Sequence, residues 1–449
     1  MSPHNETHGL ADVPSPTVGA PAGGLTEQDV LETEAPTGLP KVSSRYIWFL
    51  LLGLFGAYIA FVTPIALSLA IRVAELAPDN EEYLGYVIGA AAVVSLIVGP
   101  LAGVLSDRTR SRFGRRRPWV VGATIVGVIG LFMLAIAPDM IALTAGWVVA
   151  ATGWNIVLAN FTNSQADRLP ESQRGKVAGL SGFVTMLAPI VGAVLGGILA
   201  GDAILLFMVP AAIAVVLITL FVVVVREDDS RGLTFQDTLD FKLLMTKYVY
   251  NVRRYPDFSW NWLGRFLFYF GLTLNTTFTA FFYAARLDMG VKEIGGIVAI
   301  SGLLSVVAVM IGAIGSGFLS DKVRRRKPFV LGAGILFAIG AIIMAFAPGL
   351  ELILAGSALA SLGLGVFSAV DQALLLDVMP ERETDAGRFV AINQFATSIP
   401  QAVAPIIAPA FLALGVVAGG DKNYTLLYII AALFTLVGGI VVLRVKSVR

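Results

Sequence analysis

Leu105-Ser106-Asp107-Arg108, followed by Arg116-Arg117-Pro118-Trp119-Val120, returns later in the chain as Leu319-Ser320-Asp321-Lys322, followed by Arg326-Lys327-Pro328-Phe329-Val330. Beyond the prolines the register holds without a gap. Ala137-Pro138 matches Ala347-Pro348, and Asp167-Arg168-Leu169-Pro170-Glu171 matches Asp377-Val378-Met379-Pro380-Glu381, each 210 residues on. Agreement over that length argues for a duplicated unit rather than chance. Each copy of the basic motif lies between two long apolar runs.

Hydrophobic residues fill 56% of the 449 positions and charged residues 14%, a balance that makes lipid the solvent. A bilayer core of roughly 30 Å takes about 20 mainly apolar residues per helix, with every backbone amide paired internally. That ruler predicts twelve transmembrane helices near 46–71, 84–105, 118–137, 141–164, 176–200, 203–225, 259–285, 293–319, 328–347, 351–376, 387–413 and 424–443. The weakest separation is the Gly201-Asp202 turn between the fifth and sixth. Of the 32 Lys and Arg, 27 fall with the termini and the even-numbered loops, and four (Arg72, Arg286, Lys292 and Lys422) fall opposite, with Arg265 inside a span. Because basic loops stay in the cytoplasm, both termini are expected inside a multi-pass plasma-membrane protein. The acidic segment Glu75 to Glu82 then faces out. Both copies of the repeat start on one side of the membrane, so the halves are parallel repeats about an axis along the membrane normal, with a pathway between them.

The expected layout is a disordered cytoplasmic tail over 1–44, a six-helix bundle over 45–225, a cytoplasmic linker over 226–257 and a second six-helix bundle over 258–449. The tail is rich in Pro, Gly, Thr and Glu and cannot bury enough surface to order itself. The first apolar stretch begins near Ile47, too late for a secretory leader, and reads as the retained first helix. There is no cysteine, which excludes disulfides, thiolate catalysis and sulfur-ligated metals, and the two histidines, His4 and His8, lie in the tail. Neither a nucleophile with its base nor a phosphate-binding loop appears, so an enzyme and a nucleotide-driven pump are both disfavoured. No cofactor is expected, and a net charge of +1 without a basic face predicts no nucleic-acid partner.

Two six-helix halves with Gly-x-Leu-Ser-Asp-Arg/Lys and a basic cluster in both the 2–3 and 8–9 loops resemble the major facilitator superfamily over residues 45–445. More narrowly, Ser106-Asp107-Arg108-Thr109-Arg110-Ser111-Arg112-Phe113-Gly114-Arg115-Arg116-Arg117-Pro118 is similar to the same loop of the sucrose:proton symporters and their cation:glycoside relatives. The resemblance implies that Asp107 and Asp321, with Arg108 and Arg116 and their counterparts Lys322 and Arg326, form a gate that stabilises one access state. Independently, Asp107 stands at a helix C-terminus, an unfavourable place for an anion without a neutralising partner. The bland alternative is that these clusters only enforce topology. One departure stands out: the plant-type sucrose carriers hold charged residues within first-half helices, and here those helices have none.

Charge near a bilayer centre costs roughly 2.5–3.5 kcal/mol on insertion scales, so a charge within a span is a functional candidate. Arg265 on helix 7 and Asp371 on helix 10 lie at equal depth, roughly 8 Å inside the cytoplasmic edge. Equal depth permits pairing, and the resemblance, which sets helices 7 and 10 both against the central cavity, implies an Arg265–Asp371 ion pair. By the repeat offset Asp371 corresponds to Phe161, so the pair belongs to one half only. The functional reading gives Asp371 the coupling H⁺ or a share in holding Na⁺, with Arg265 tuning it or binding substrate. The alternative is a structural pair with Arg265 reaching to the headgroups.

Uncharged polar groups gather on helices 1, 4, 7, 10 and 11. Tyr58, Trp154, Asn155, Tyr269, Asn275, Asn393 and Gln394 are the expected substrate contacts, since amides beside aromatic rings suit a neutral hydroxylated ligand. The same side chains serve as interhelical glue at about 0.6 kcal/mol each. Ala188-Pro189-Ile190-Val191-Gly192-Ala193 partly resembles the Gly-Pro-x-x-Gly-Gly signature of proton-driven drug antiporters, with a packing kink as the alternative. In the linker, Phe235, Leu239, Leu243 and Tyr248 recur at helical spacing, which predicts an amphipathic helix on the cytoplasmic surface. The expected function is a monomeric secondary transporter moving a small organic solute, a sugar or glycoside, by alternating access coupled to H⁺ or Na⁺. A proton-driven drug or metabolite exporter and a non-transporting nutrient sensor are the competing readings; a sensor would add a soluble domain for which no segment is long enough.

Overall fold

The computed structural model describes residues 40–225, 227–232, 250–381, 386–414 and 422–448. The tail expected over 1–44, apart from its last five residues, and the surface helix expected from Phe235 to Tyr248 lie outside the described residues. The first half consists of α1 (Ser44–Leu76), α2 (Tyr83–Asp107), α3 (Arg117–Ile136), α4 (Met140–Arg168), α5 (Glu171–Ile198) and α6 (Ala203–Val224). In the second half α7 comes in two pieces, Pro256–Thr277 and Thr279–Leu287, followed by α8 (Gly295–Val323), α9 (Lys327–Ala345), α10 (Leu350–Val378), α11 (Ala386–Ala413) and α12 (Tyr424–Val442). Among the described residues every regular element is helical, and the fold is the all-α membrane architecture of two six-helix repeats.

Eleven of these helices are long and apolar enough to span a membrane by composition alone. The other is α7, whose 22-residue first piece is long enough at about 33 Å. It misses the apolarity criterion because Ser259, Asn261, Arg265, Asn275, Thr276 and Thr277 interrupt its apolar run. The thin Gly201-Asp202 separation is made by capping: the Asp202 carboxylate accepts from the N–H groups of Ile204 and Leu205 at 2.8 and 3.0 Å and starts α6.

The sequence repeat recurs as geometry at the face where α1 begins and α12 ends, the terminal face. Arg116, at the start of α3, pairs with Asp107 at the end of α2 (2.5 Å) and Asp167 at the end of α4 (3.1 Å), and it donates to Ser106 (2.8 Å). Arg326, at the start of α9, pairs with Asp321 (3.8 Å) and Asp377 (2.6 Å) at the ends of α8 and α10. Each arginine therefore ties three helix ends of its own half together. The first cluster is reinforced by Glu227, whose carboxylate accepts from the backbone N–H groups of Arg116 and Arg117 and so caps α3. Glu227 presses against Gly114, which stands at φ +88° where a side chain would be both strained and crowded. With 6% side-chain exposure against 23%, Arg116 is the more buried of the two arginines. Arg116→Ala is expected to cost more than Arg326→Ala, roughly 2 against 1 kcal/mol, because it also removes a buried side chain and the donor to the buried Ser106, while the carboxylates left behind are partly wetted in both halves. Unfolding midpoints of the two variants in detergent check the ranking.

Two irregularities shape the middle of the fold. In α1, Pro64 has no N–H to donate, and the ladder loosens into a π-helical segment, Pro64–Ser68. In α7, the hydroxyls of Thr273, Thr276, Thr277 and Thr279 each donate to the carbonyl four residues back. Such back-bonding competes with the helix's own ladder, and the helix breaks at Phe278.

The halves meet along two seams, α2 against α11 and α5 against α8. Both are tight at the face opposite the termini. A Cβ on Gly85 of α2 would lie 2.2 Å from the Pro405 carbonyl oxygen of α11, and one on Gly197 of α5 would lie 3.0 Å from Gly295 of α8. Toward the terminal face the same helices part: Gly99 and Gly103 of α2, and Gly175, Gly179 and Gly182 of α5, have nothing within 4 Å of a built Cβ. Among the described glycines, the close approaches between the halves all lie at one face and none at the other.

Candidate functional site

Between α1 and α5 of the first half and α7, α8 and α10 of the second lies a cavity of about 460 Å³, within the range of small-molecule sites. Both irregular segments border it. Ile65 and Ala66 come from the π-helical turn, and Asn275, Thr277 and Thr279 from the break in α7. Among the described residues, no Asp, Glu, Lys or Arg lines it.

Its two walls differ in chemistry. The first half presents mostly aliphatic groups, among them Val62, Ile65, Met186 and Ile190. The second half presents hydroxyls. Tyr283 shares a hydrogen bond with Ser301 (2.8 Å), Ser301 with Ser357 (3.0 Å) and Ser357 with Ser305 (3.4 Å), a chain of four side chains running across α7, α8 and α10. Ser301 and Ser305 are four apart on α8, as Ser357 and Ser361 are on α10, so each pair faces one way.

Arg265 and Asp371 form the expected ion pair, through Nη1 and Oδ2. Asp371 is 1% exposed and Arg265 12%; Arg265 also donates to Thr397 of α11 (3.2 Å), and its guanidinium lies 5.4 Å from the centre of the Tyr269 ring. Asp371 Oδ1 has no hydrogen-bond partner, nor has either end of the Asn261 amide one turn away on α7. Seven residues separate Arg265 from Leu272, and Asp371 from Leu364, the nearest cavity residues on their helices, so the pair lies roughly 10 Å from the cavity toward the terminal face. The stacked rings of Phe268 and Phe367, with centroids 3.7 Å apart, fill the space between.

Of the expected substrate contacts, Asn275 lines the cavity, joined by Thr276 and Thr277. Trp154 is wholly buried with its ring against Gly127 of α3, inside the first bundle. Asn155 donates to Ser95 of α2 (3.3 Å) and to Ala151, acting as a bridge between α4 and α2. Tyr58 packs on the core, Asn393 is buried on α11 and Gln394 is exposed there, none of them on the cavity wall. Of the gating residues, Asp107 and Arg116 meet, as do Asp321 and Arg326, while Arg108 ends α2 and Lys322 lies exposed in the last turn of α8. Sequence reasoning passed over Tyr283, Ser301, Ser305 and Ser357. The signal was the Ser-x-x-x-Ser spacing on two helices, which is also the spacing of ordinary close helix packing.

The closed face has its own fastening. Glu75 pairs with Lys292 (2.7 Å) and Glu82 with Lys422 (2.8 Å), both across the two halves, and Tyr424 donates to Glu81. Lys292→Gln with Lys422→Gln is expected to shift the balance away from this state by about 1 kcal/mol, roughly fivefold, since partly exposed pairs contribute little each. The labelling rate of a cysteine placed in the cavity, attacked from the Glu82 side by an impermeant maleimide, reads that shift.

The sequence model of the Major Facilitator Superfamily matches residues 47–316 and 306–449. The chain is 30% identical over 122 residues to the general alpha-glucoside permease of Schizosaccharomyces pombe, which is 26% of this chain and 21% of that protein. It is 39% identical over 72 residues to the galactose-proton symporter of Escherichia coli K12, which is 16% of this chain and 15% of that protein. The chain thus matches about a fifth or less of the length of these two relatives. A crystal structure of a mutant nucleoside transporter aligns with a TM-score of 0.72 at 11% identity, covering 89% of this chain and 99% of that one, and it shares the fold.

Proposed function

Since this chain belongs to the major facilitator superfamily, we propose that it is a secondary transporter carrying a neutral, hydroxylated small solute of the sugar class in symport with protons. The observation that carries this reading is the cavity: about 460 Å³, without a charged lining residue, and with a hydroxyl chain along one wall. A charged solute would lose its water there and find no counter-charge, whereas a polyol finds groups that both donate and accept. The glucoside and galactose relatives support the same solute class.

Basic residues cluster at the terminal face, so in this reading that face is cytoplasmic, the membrane is the plasma membrane, and the molecule, a monomer, stands open to the cytoplasm and sealed to the exterior. Alternating access then breaks the α2–α11 and α5–α8 contacts at the outer end and makes their counterparts at the inner end. Asp371 carries the proton. Deprotonated, it holds Arg265, which also donates to Thr397 and lies over the Tyr269 ring; protonated, it gives up its charge and releases that hold, which changes how α7, α10 and α11 pack. Asp107 and Asp321, now engaged within their own halves, are the groups that latch the inner end when it closes.

Uptake into proteoliposomes tests this directly. With acid outside, a neutral sugar is expected to accumulate above its external concentration, and an imposed Na⁺ gradient alone is expected to do nothing. Accumulation driven by Na⁺ would reassign the coupling ion; outward extrusion of amphipathic drugs, with no movement of any sugar, would replace the symporter by an exporter.

A further inference from the structure

The Arg265–Asp371 pair has two buried polar neighbours. Asn261 stands one turn from Arg265 on α7, and Asn393 one turn from Thr397 on α11, both toward the terminal face. Two contacts hold the helices in register: Trp262 Nε1 donates to the Ile392 carbonyl (3.0 Å), and Arg265 Nε donates to Thr397 (3.2 Å). Asn261 and Asn393 therefore stand at one level, each next in the chain to a member of the first contact. Both are buried, at 0% and 3% exposure. Apolar layers close the group on two sides. The Phe268–Phe367 stack lies toward the cavity, and the buried cluster of Phe258, Leu375, Phe389 and Ile392 lies toward the terminal face.

Within that enclosure the hydrogen-bonding groups do not balance. Asp371 Oδ1, Asn261 Oδ1 and Asn393 Oδ1 are buried acceptors without a partner, and Asn261 Nδ2 is the one unpaired buried donor among these three side chains. Acceptors in excess of donors, shut away from water, make a buried cluster costly. What the group lacks is hydrogen. One proton on Asp371 turns its free oxygen from an acceptor into a donor, and two donors then stand against the two amide oxygens.

We propose that Asn261 and Asn393 are positioning residues that hold the coupling proton on Asp371. The protonated Oδ1 donates to Asn261 Oδ1, and Asn261 Nδ2 donates to Asn393 Oδ1, a chain across α10, α7 and α11 that the ionised carboxylate cannot complete. In this structure Asp371 is held by Arg265 and no bond joins it to Asn261, the arrangement of the unloaded form. No other group changes its protonation state. Of the helices packed on α10, α7 faces Asp371 with Arg265 and, behind the guanidinium, Tyr269; α8 and α9 face it with no charged or titratable side chain among the described residues. The proposal rests on the assignment of the coupling proton to Asp371 and adds to it the two amides that favour the loaded form.

Infrared difference spectra of the purified full-length protein, recorded against pH with no solute present, test it. The carbonyl stretch of a protonated, buried carboxylic acid reports Asp371 and is identified by its loss in the Arg265→Gln, Asp371→Asn double variant. Asn261→Leu is expected to move the pH midpoint of that band about one unit toward acid, a tenfold loss of proton affinity. The protonated form loses its acceptor, while the ionised form, which makes no bond to Asn261, loses nothing. Asn393→Leu removes only the far bond and is expected to move the midpoint the same way by about threefold. Neither variant should lower the unfolding midpoint at alkaline pH, since each removes an unpaired buried oxygen. A band midpoint left in place, or a lowered alkaline unfolding midpoint in both variants, overturns the proposal and leaves the proton on Asp371. Displacement of the band by Na⁺ at constant pH overturns it too, making the group a cation site. Absence of the band from the wild type overturns the coupling assignment and the proposal with it.

Discussion

Replacing Asp371 by Asn is expected to abolish uphill accumulation, bringing the internal-to-external ratio of solute to about 1, while exchange of internal for external solute continues within roughly tenfold of the wild-type rate. Exchange needs the site to switch sides with solute aboard and no net proton movement; accumulation needs the carboxylate to pick up and release a proton. A second consequence follows from burial. With Asp371 neutral, the Arg265 guanidinium, 12% exposed, loses its counter-charge, and stability should fall by roughly 3–5 kcal/mol. The double variant Arg265→Gln with Asp371→Asn should recover most of that stability and none of the accumulation. Proteoliposome uptake and counterflow, run beside thermal unfolding, separate the two effects. Persisting concentrative uptake in a well-folded Asp371→Asn protein would end the coupling assignment.

Gly85→Val is expected to stop the transport cycle at the opposite end. A Cβ there would meet the Pro405 carbonyl oxygen at 2.2 Å and the Phe278 ring at 3.1 Å, and neither the α11 backbone nor the α7 break has room to retreat without opening the seam. Overpacking against backbone should cost the outward-closed state roughly 3 kcal/mol or more, about a hundredfold in its population. Turnover should fall accordingly, while solute still binds. Because the chain contains no cysteine, a single Thr276→Cys makes the shift readable: the cavity thiol should react with an impermeant maleimide from the exterior in the Gly85→Val background and resist it in the parent. Slow exterior labelling in both would show that the α2–α11 approach is not the outer seal.

Much of this architecture could be read from the residues. Basic loops, apolar runs and the 210-residue repeat placed the twelve spans to within a few positions, because in lipid the hydrophobic term and internal amide pairing leave one way to build a span. The Arg265–Asp371 pair was legible because two lone charges at equal depth permit pairing and the resembled fold brings helices 7 and 10 to one cavity. Contacts between helices were less accessible. Trp154 and Asn155 carry the right chemistry for a sugar, yet they turn into the first bundle, one against Gly127 and the other to Ser95, and a linear sequence does not say which side of a helix with polar groups on several faces lines the pathway. Serines 301, 305 and 357 were passed over because small hydroxyls four apart serve packing and recognition equally well. The break at Phe278 was written in the threonine run before it, but each threonine alone is ordinary; only their serial back-bonding undoes the helix.

The roughly 10 Å between the cavity and the Arg265–Asp371 pair has a thermodynamic corollary. Under the proposed assignment of sugar to the cavity and proton to Asp371, the two ligands share no atoms, are separated by a layer of stacked rings and cannot compete, so neither must arrive first. Whatever factor a bound proton adds to the affinity for sugar, a bound sugar must add to the affinity for the proton. Half-loaded forms therefore exist at every pH, and each one able to reorient is a leak that lowers the steepest gradient the carrier can sustain.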